Sequence, residues 1–119
     1  MATQSFKELL VWQKAHEFVI AVYKYAKTSP REELYTLTSQ FKRAAISIAA
    51  NSAEGYKKSG KADKARLMNI AQGSIEECQY YLTLSRDLGY GENEHLIRLL
   101  DEISKILGSY ISKILSPNS

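Results

Sequence analysis

Cysteine occurs once in the 119 residues, as Cys78, so no internal disulfide can form and nothing points to an oxidising compartment. Proline occurs twice, as Pro30 and Pro117, and both mark ends of helical patterns rather than interiors. No apolar run approaches the roughly 20 residues a spanning helix needs, so no membrane partner is expected. The opening MATQSFKELL lacks the basic start and apolar stretch of a secretion signal, which makes the cytoplasm the expected location. Strand-like alternation is almost missing. Two histidines and one cysteine leave little material for a metal centre.

What the chain does have is ordinary in amount and particular in placement. Hydrophobic residues make up 45% and charged residues 24%, the range of a globular chain. The length suits one core and not two, so a single domain over 1–119 is expected. Eight tyrosines against one tryptophan favour half-buried surfaces, where ring and hydroxyl meet different surroundings. The formal net charge of +3 is modest, so its position matters more than its total.

Between the glycine-rich breaks every segment carries a helical period. The first helix is expected over about 6–27, with a seam of Trp12, Ala15, Val19, Val22 and Ala26 widened by Val11, Phe18 and Tyr25. Ser29, Pro30 and Glu32 spell a capping box that starts a short turn, expected to break near Thr36. A second helix follows over about 37–57, with Leu37, Phe41, Ala44 and Ile48 in its seam and Ala45, Ala49, Ser52 and Ala53 alongside. KSGK is the clearest break. The third helix is expected over about 61–88, its seam running through Leu67, Ala71, Ser74, Cys78, Tyr81, Ser85 and Leu88. Gly89 suits the left-handed residue after a helix. The fourth, over about 92–115, is the most regular, from Leu96, Leu99 and Leu100 to Ile111 and Ile114. Four helices with short connections predict an all-α, antiparallel up-down-up-down four-helix bundle. Small residues on the second helix allow close approach to a neighbour. The apolar width exceeds a single stripe, which predicts self-association.

Five stretches, VWQKA (11–15), LTSQFKRAAISI (37–48), NSAEG (51–55), IAQGSIEE (70–77) and LGY (88–90), stand in order over nearly the whole chain. Together they resemble the four-helix-bundle proteins encoded in intervening sequences of bacterial large-subunit ribosomal RNA genes, also called ribosomal-protein-like. That family includes the accessory variability determinant of diversity-generating retroelements. The resemblance implies a ring-shaped homopentamer. For the retroelement member it also implies a basic surface that binds nucleic acid and a reverse transcriptase. Two departures stand out. Ser29–Pro30 occupies the place of an aromatic–proline pair, and IAANSAEG lacks the proline that often precedes the family's NxAEG, so no kink is expected there.

The candidate sites follow from charge and spacing. Lys57, Lys58, Lys61, Lys64 and Arg66, with Lys42 and Arg43 earlier on the second helix, form a basic set that could contact RNA or DNA. Each neutralised phosphate adds about 0.9 to the salt slope of duplex binding. Repetition of one loop around a ring turns weak contacts into avidity. The plainer account is a solvated helix junction, and both remain open. Tyr56 beside the lysines could stack on a base, or pack against its own helix. Arg43, Asn51 and Glu54 lie at or beside a seam and suit a register-setting pair with a neighbouring helix or subunit better than catalysis. Trp12, Ala45 and Ala49 are expected to serve packing or the subunit interface.

Chemistry finds little purchase. Glu92-x-x-His95 is half of a di-iron motif, but His16 is preceded at that spacing by Gln13, so no metal is expected. Cys78, on a seam without a histidine partner, reads as a small buried hydrophobe. GYG lacks the strand and glycines of a phosphate loop. No cofactor is expected. The sequence therefore points to a ring-forming, non-enzymatic bundle that binds structured RNA or DNA, or else to a protein–protein scaffold whose lysines only keep it in solution.

Overall fold

The Ser5 side chain accepts a hydrogen bond from the Lys7 amide at 3.1 Å, which caps a single 3-10 turn, Phe6–Glu8. Leu9 is extended, and only then does α1 start, at Leu10–Ala26. The sequence pattern runs through this break because Phe6 keeps the helical spacing. In three dimensions the turn folds back so that the Phe6 ring meets Trp12 edge-on, 5.1 Å between centroids. Residues 5–28, 30–33 and 36–117 are described by a computed structural model. The expected Ser29 cap lies outside the described residues, while Arg31–Glu33 form a 3-10 turn.

Three longer helices follow: α2 Leu37–Lys57, α3 Lys61–Asp87 and α4 Glu94–Leu115. Without a proline before Asn51, α2 runs unbroken through IAANSAEG. At the end of α3, Gly89 takes φ +76°, its amide bonds to the Arg86 carbonyl at 3.0 Å, and the Tyr90 amide bonds to Ser85 at 2.9 Å. This double bond pattern ends the helix with its last carbonyls satisfied. Gly91, at φ +116°, completes the reversal into α4.

Each helix packs its backbone closely on two others, α1 on α2 and α4, α3 on α2 and α4. That is a square, antiparallel four-helix bundle, and among the described residues there are no strands. It forms a rod of 48 × 23 × 22 Å. The α2–α3 pair is the most extensive. Its close approach is visible at Gly55, where an added Cβ would sit 2.9 Å from Met68 Cε and 3.3 Å from Leu67 Cβ.

The core corrects two of the expected seams. On α1 the buried stripe is Val11, Ala15, Phe18 and Val22, whereas Trp12 and Val19 lie half-buried at its edge. Both series obey the same spacing, so only packing against neighbours on two sides chooses between them. On α3 the stripe includes Met68, Ile75 and Leu82, while Tyr81 is half-buried and Leu88 is exposed. A helix that serves two partners needs a broad face, and a single seam underestimates it. Ala45 is wholly buried inside the bundle, which removes it from any subunit surface. Ala49 is buried as well, so the space left by these small residues is filled within the chain.

Candidate nucleic-acid interface

The α2–α3 junction places the basic residues at one end of the rod. Lys58 closes α2 in an extended conformation, and Gly60, also extended, precedes α3. Lys57 and Lys61 are exposed, and Lys58 is half-buried. Lys64 behaves differently. Its ammonium donates to the Tyr56 carbonyl at 2.7 Å and to Gly55 at 3.4 Å, over the Tyr56 ring at 5.5 Å. A cation placed on the last carbonyls of α2 satisfies orphan acceptors and opposes the negative end of the helix dipole. Lys64 is therefore engaged in closing the junction.

The remaining members of the expected set are scattered. Lys61 reaches the Ser116 carbonyl just beyond α4 at 3.5 Å. Arg66 pairs with Asp63 at 3.9 Å on the same helix face, both well exposed, a contact worth little in water. Lys42 lies fifteen residues before Lys57, roughly 22 Å along the helix axis, and sits over the Tyr23 ring at 4.6 Å. It does not belong to the junction. The basic site thus contracts to Lys57, Lys58 and Lys61. Lysine heads of this kind act as compact, hydrated point charges that suit phosphate oxygens. Tyr56 is half-buried between Lys57 and Lys64, and its ring is used by the protein itself.

Sequence reading missed two cations at the same end, Lys7 before α1 and Lys113 in the last turn of α4. Both are exposed. The signal was available in the topology, since an up-down bundle brings the start of α1 and the end of α4 beside the α2–α3 junction.

Arg43, Asn51 and Glu54 share one stripe of α2 by their spacing. Asn51 donates to the Ser47 carbonyl at 2.9 Å and to its hydroxyl at 3.0 Å, and the Ser74 hydroxyl on α3 bonds to Ser47 at 2.8 Å. Asn51 is thus part of a polar link between helices. Arg43 and Glu54 are exposed and form no ion pair among the described residues. Among the described residues the expected pairing with another helix is not made.

Cys78 is fully buried, and burial, with the Glu77 charge second, pushes its thiol far above the range of a reactive nucleophile. Glu92 and His95 stand exposed around the start of α4, and among the described residues no three metal-ligating side chains cluster. Among the described residues no helix is long and apolar enough to cross a membrane. Several large apolar side chains remain at the surface. Tyr23 and Ile20 on α1 lie a turn apart, and Ile46 is a turn from the Lys42 that covers Tyr23, so the three share the α1–α2 side.

A family model described as 23S rRNA-intervening sequence protein matches residues 7–111. No curated protein matches the sequence. A crystal structure of a protein with unknown function from the S23 ribosomal protein family of Bacteroides thetaiotaomicron VPI-5482 is similar, with a TM-score of 0.78 and 28% identity. The match covers 89% of this chain and 98% of that one.

Proposed function

This chain belongs to the 23S rRNA-intervening sequence protein family, and on that footing we propose that it works without catalysis, as a self-associating bundle that holds structured RNA or DNA by its phosphates. The observation that carries the reading is the α2–α3 junction, where Lys57, Lys58 and Lys61 gather without an ion pair among the described residues. A few lysines on one protomer bind weakly. Copies in a ring, five if the resemblance extends to assembly, present the same junction repeatedly and convert weak contacts into avidity. The exposed Ile20, Tyr23 and Ile46 supply apolar surface for such an assembly, and Arg43 and Glu54 supply complementary charges for a neighbouring copy.

The experiment is a titration of labelled RNA hairpin and DNA duplex at two salt concentrations, with light scattering on the same sample. The expected result is binding that weakens steeply with salt and is lost when Lys57, Lys58 and Lys61 are replaced by Glu, the oligomer remaining intact. A scattering mass equal to the 13.4 kDa protomer would count against assembly. The apolar α1–α2 side also favours a second reading, a scaffold that docks a protein partner. Absence of nucleic-acid binding at low salt together with an intact oligomer decides for that scaffold.

A further inference from the structure

The bundle brings together at one end cations that are far apart in the chain. Lys57 and Lys58 end α2, and Lys61 opens α3 and reaches the Ser116 carbonyl. Lys113 lies one turn before that point, its carbonyl accepting from the Ser116 amide at 3.3 Å. Lys7 sits on the 3-10 turn that packs on both α1 and α2, its carbonyl held by the Gln13 side chain at 2.9 Å. The rod is only 23 × 22 Å across, so these groups share one small face. None of them has an ion-pair partner among the described residues. The acids at this end are Glu8 beside Lys7, Glu54 one turn before Lys57 and Lys58, and Asp63, which Arg66 engages, so the five lysines outnumber them.

The opposite end has a different character. Lys27 and Arg31 stand there among Glu32, Asp87, Glu92 and Glu94, with Arg98 paired to Glu94 at 3.3 Å and Arg86 beside Asp87 at 3.7 Å. Cations interleaved with acids give no net field for a polyanion. We infer that the phosphate-contacting surface is the whole basic end of the bundle, with Lys7 and Lys113 joining Lys57, Lys58 and Lys61, and with Lys64 withdrawn from it as the latch that holds the junction in shape. The inference rests on the nucleic-acid reading above and names the surface that serves it. Its ligand is a phosphodiester backbone, met by shape and charge from several elements at once, so one loop does not define the site.

The test measures the salt slope of binding for an RNA hairpin and for a DNA duplex of the same sequence, with single substitutions in the full chain. Each true phosphate contact contributes about 0.9 to the slope on duplex DNA. Lys7→Ala, Lys113→Ala and Lys57→Ala are each expected to lower it by that amount, and Lys27→Ala at the far end to leave it unchanged. Lys64→Met is expected to keep the slope while lowering the melting temperature, and Lys64→Arg to restore the melting temperature. If the junction substitutions lower the slope and Lys7→Ala and Lys113→Ala do not, the extended surface is wrong and the junction acts alone. A lower slope for Lys64→Met overturns the latch. If the unmodified protein binds neither probe, the nucleic-acid reading fails, and this surface falls with it.

Discussion

The Ser74 hydroxyl donates to that of Ser47 at 2.8 Å, joining α3 to α2 near the middle of both helices. Ser47 also takes the Asn51 side chain, so one hydroxyl organises a three-residue link at the tightest helix pair of the bundle. Buried polar atoms that are mutually satisfied fix register, and among the described residues no buried side-chain polar atom is left without a partner.

Removing that hydroxyl tests the link. Ser74→Ala is expected to cost about 1 kcal/mol, the net value of one such bond, because Ser47 keeps Asn51. A double-mutant cycle with Ser47→Ala in urea should return a coupling of similar size. Strict additivity would show that the two hydroxyls do not act together.

Ala45 probes the packing next to it. The side chain is wholly enclosed in the core cluster, so leucine there must displace its neighbours. Ala45→Leu is expected to lose about 1–3 kcal/mol by overfilling, read as an earlier denaturation midpoint. A neutral result would mean that the bundle has space at this level.

Asn93 offers a second polar test. Its amide donates to the Leu82 carbonyl at 2.9 Å in a buried setting, tying the start of α4 to the end of α3. Asn93→Ala removes that tie, Leu82 keeping its place in the α3 ladder, and is expected to cost about 1 kcal/mol. Asn93→Asp should cost more near neutral pH, since a buried carboxylate would face a carbonyl oxygen and has no proton to donate. Acidification should recover part of the loss, and an unchanged deficit at low pH would refute this account.

Alkaline pH should weaken the fold through its tyrosines. Burial raises the Tyr25 hydroxyl above its ordinary value, partly offset by bonds with Ser85 and Asn93, and burial raises Tyr110 likewise. Because the folded state resists losing these protons, the unfolded chain ionises first, at about pH 10. Their stabilising effect is full below that pH and is lost as pH rises through the higher folded values. Melting temperatures measured above about pH 9 should fall, and less so for Tyr25→Phe.

The helices were legible because their breaks are written in glycine and their faces in spacing. The end of α3 came within one residue, since only Gly89 could take the left-handed angle required. The start of α1 did not, because Phe6 obeys the helical period while its ring is placed by Trp12, a tertiary contact. The site was legible only in part. Lys57, Lys58 and Lys61 stand out as a run, but sequence alone cannot show that Lys64 turns inward to Tyr56 or that Lys42 rests on Tyr23. Local spacing ranks lysines equally, and only the paths of neighbouring helices separate those that meet solvent from those that meet carbonyls.

The rod is 48 Å long, several times the screening distance of about 8 Å at physiological salt. Its two tips are therefore electrically deaf to one another, and the molecule carries a direction, like an arrow with a charged head. Copies standing side by side and pointing the same way would gather their heads into a single cationic rim, whereas alternating copies would spread the same charge over two opposite rims.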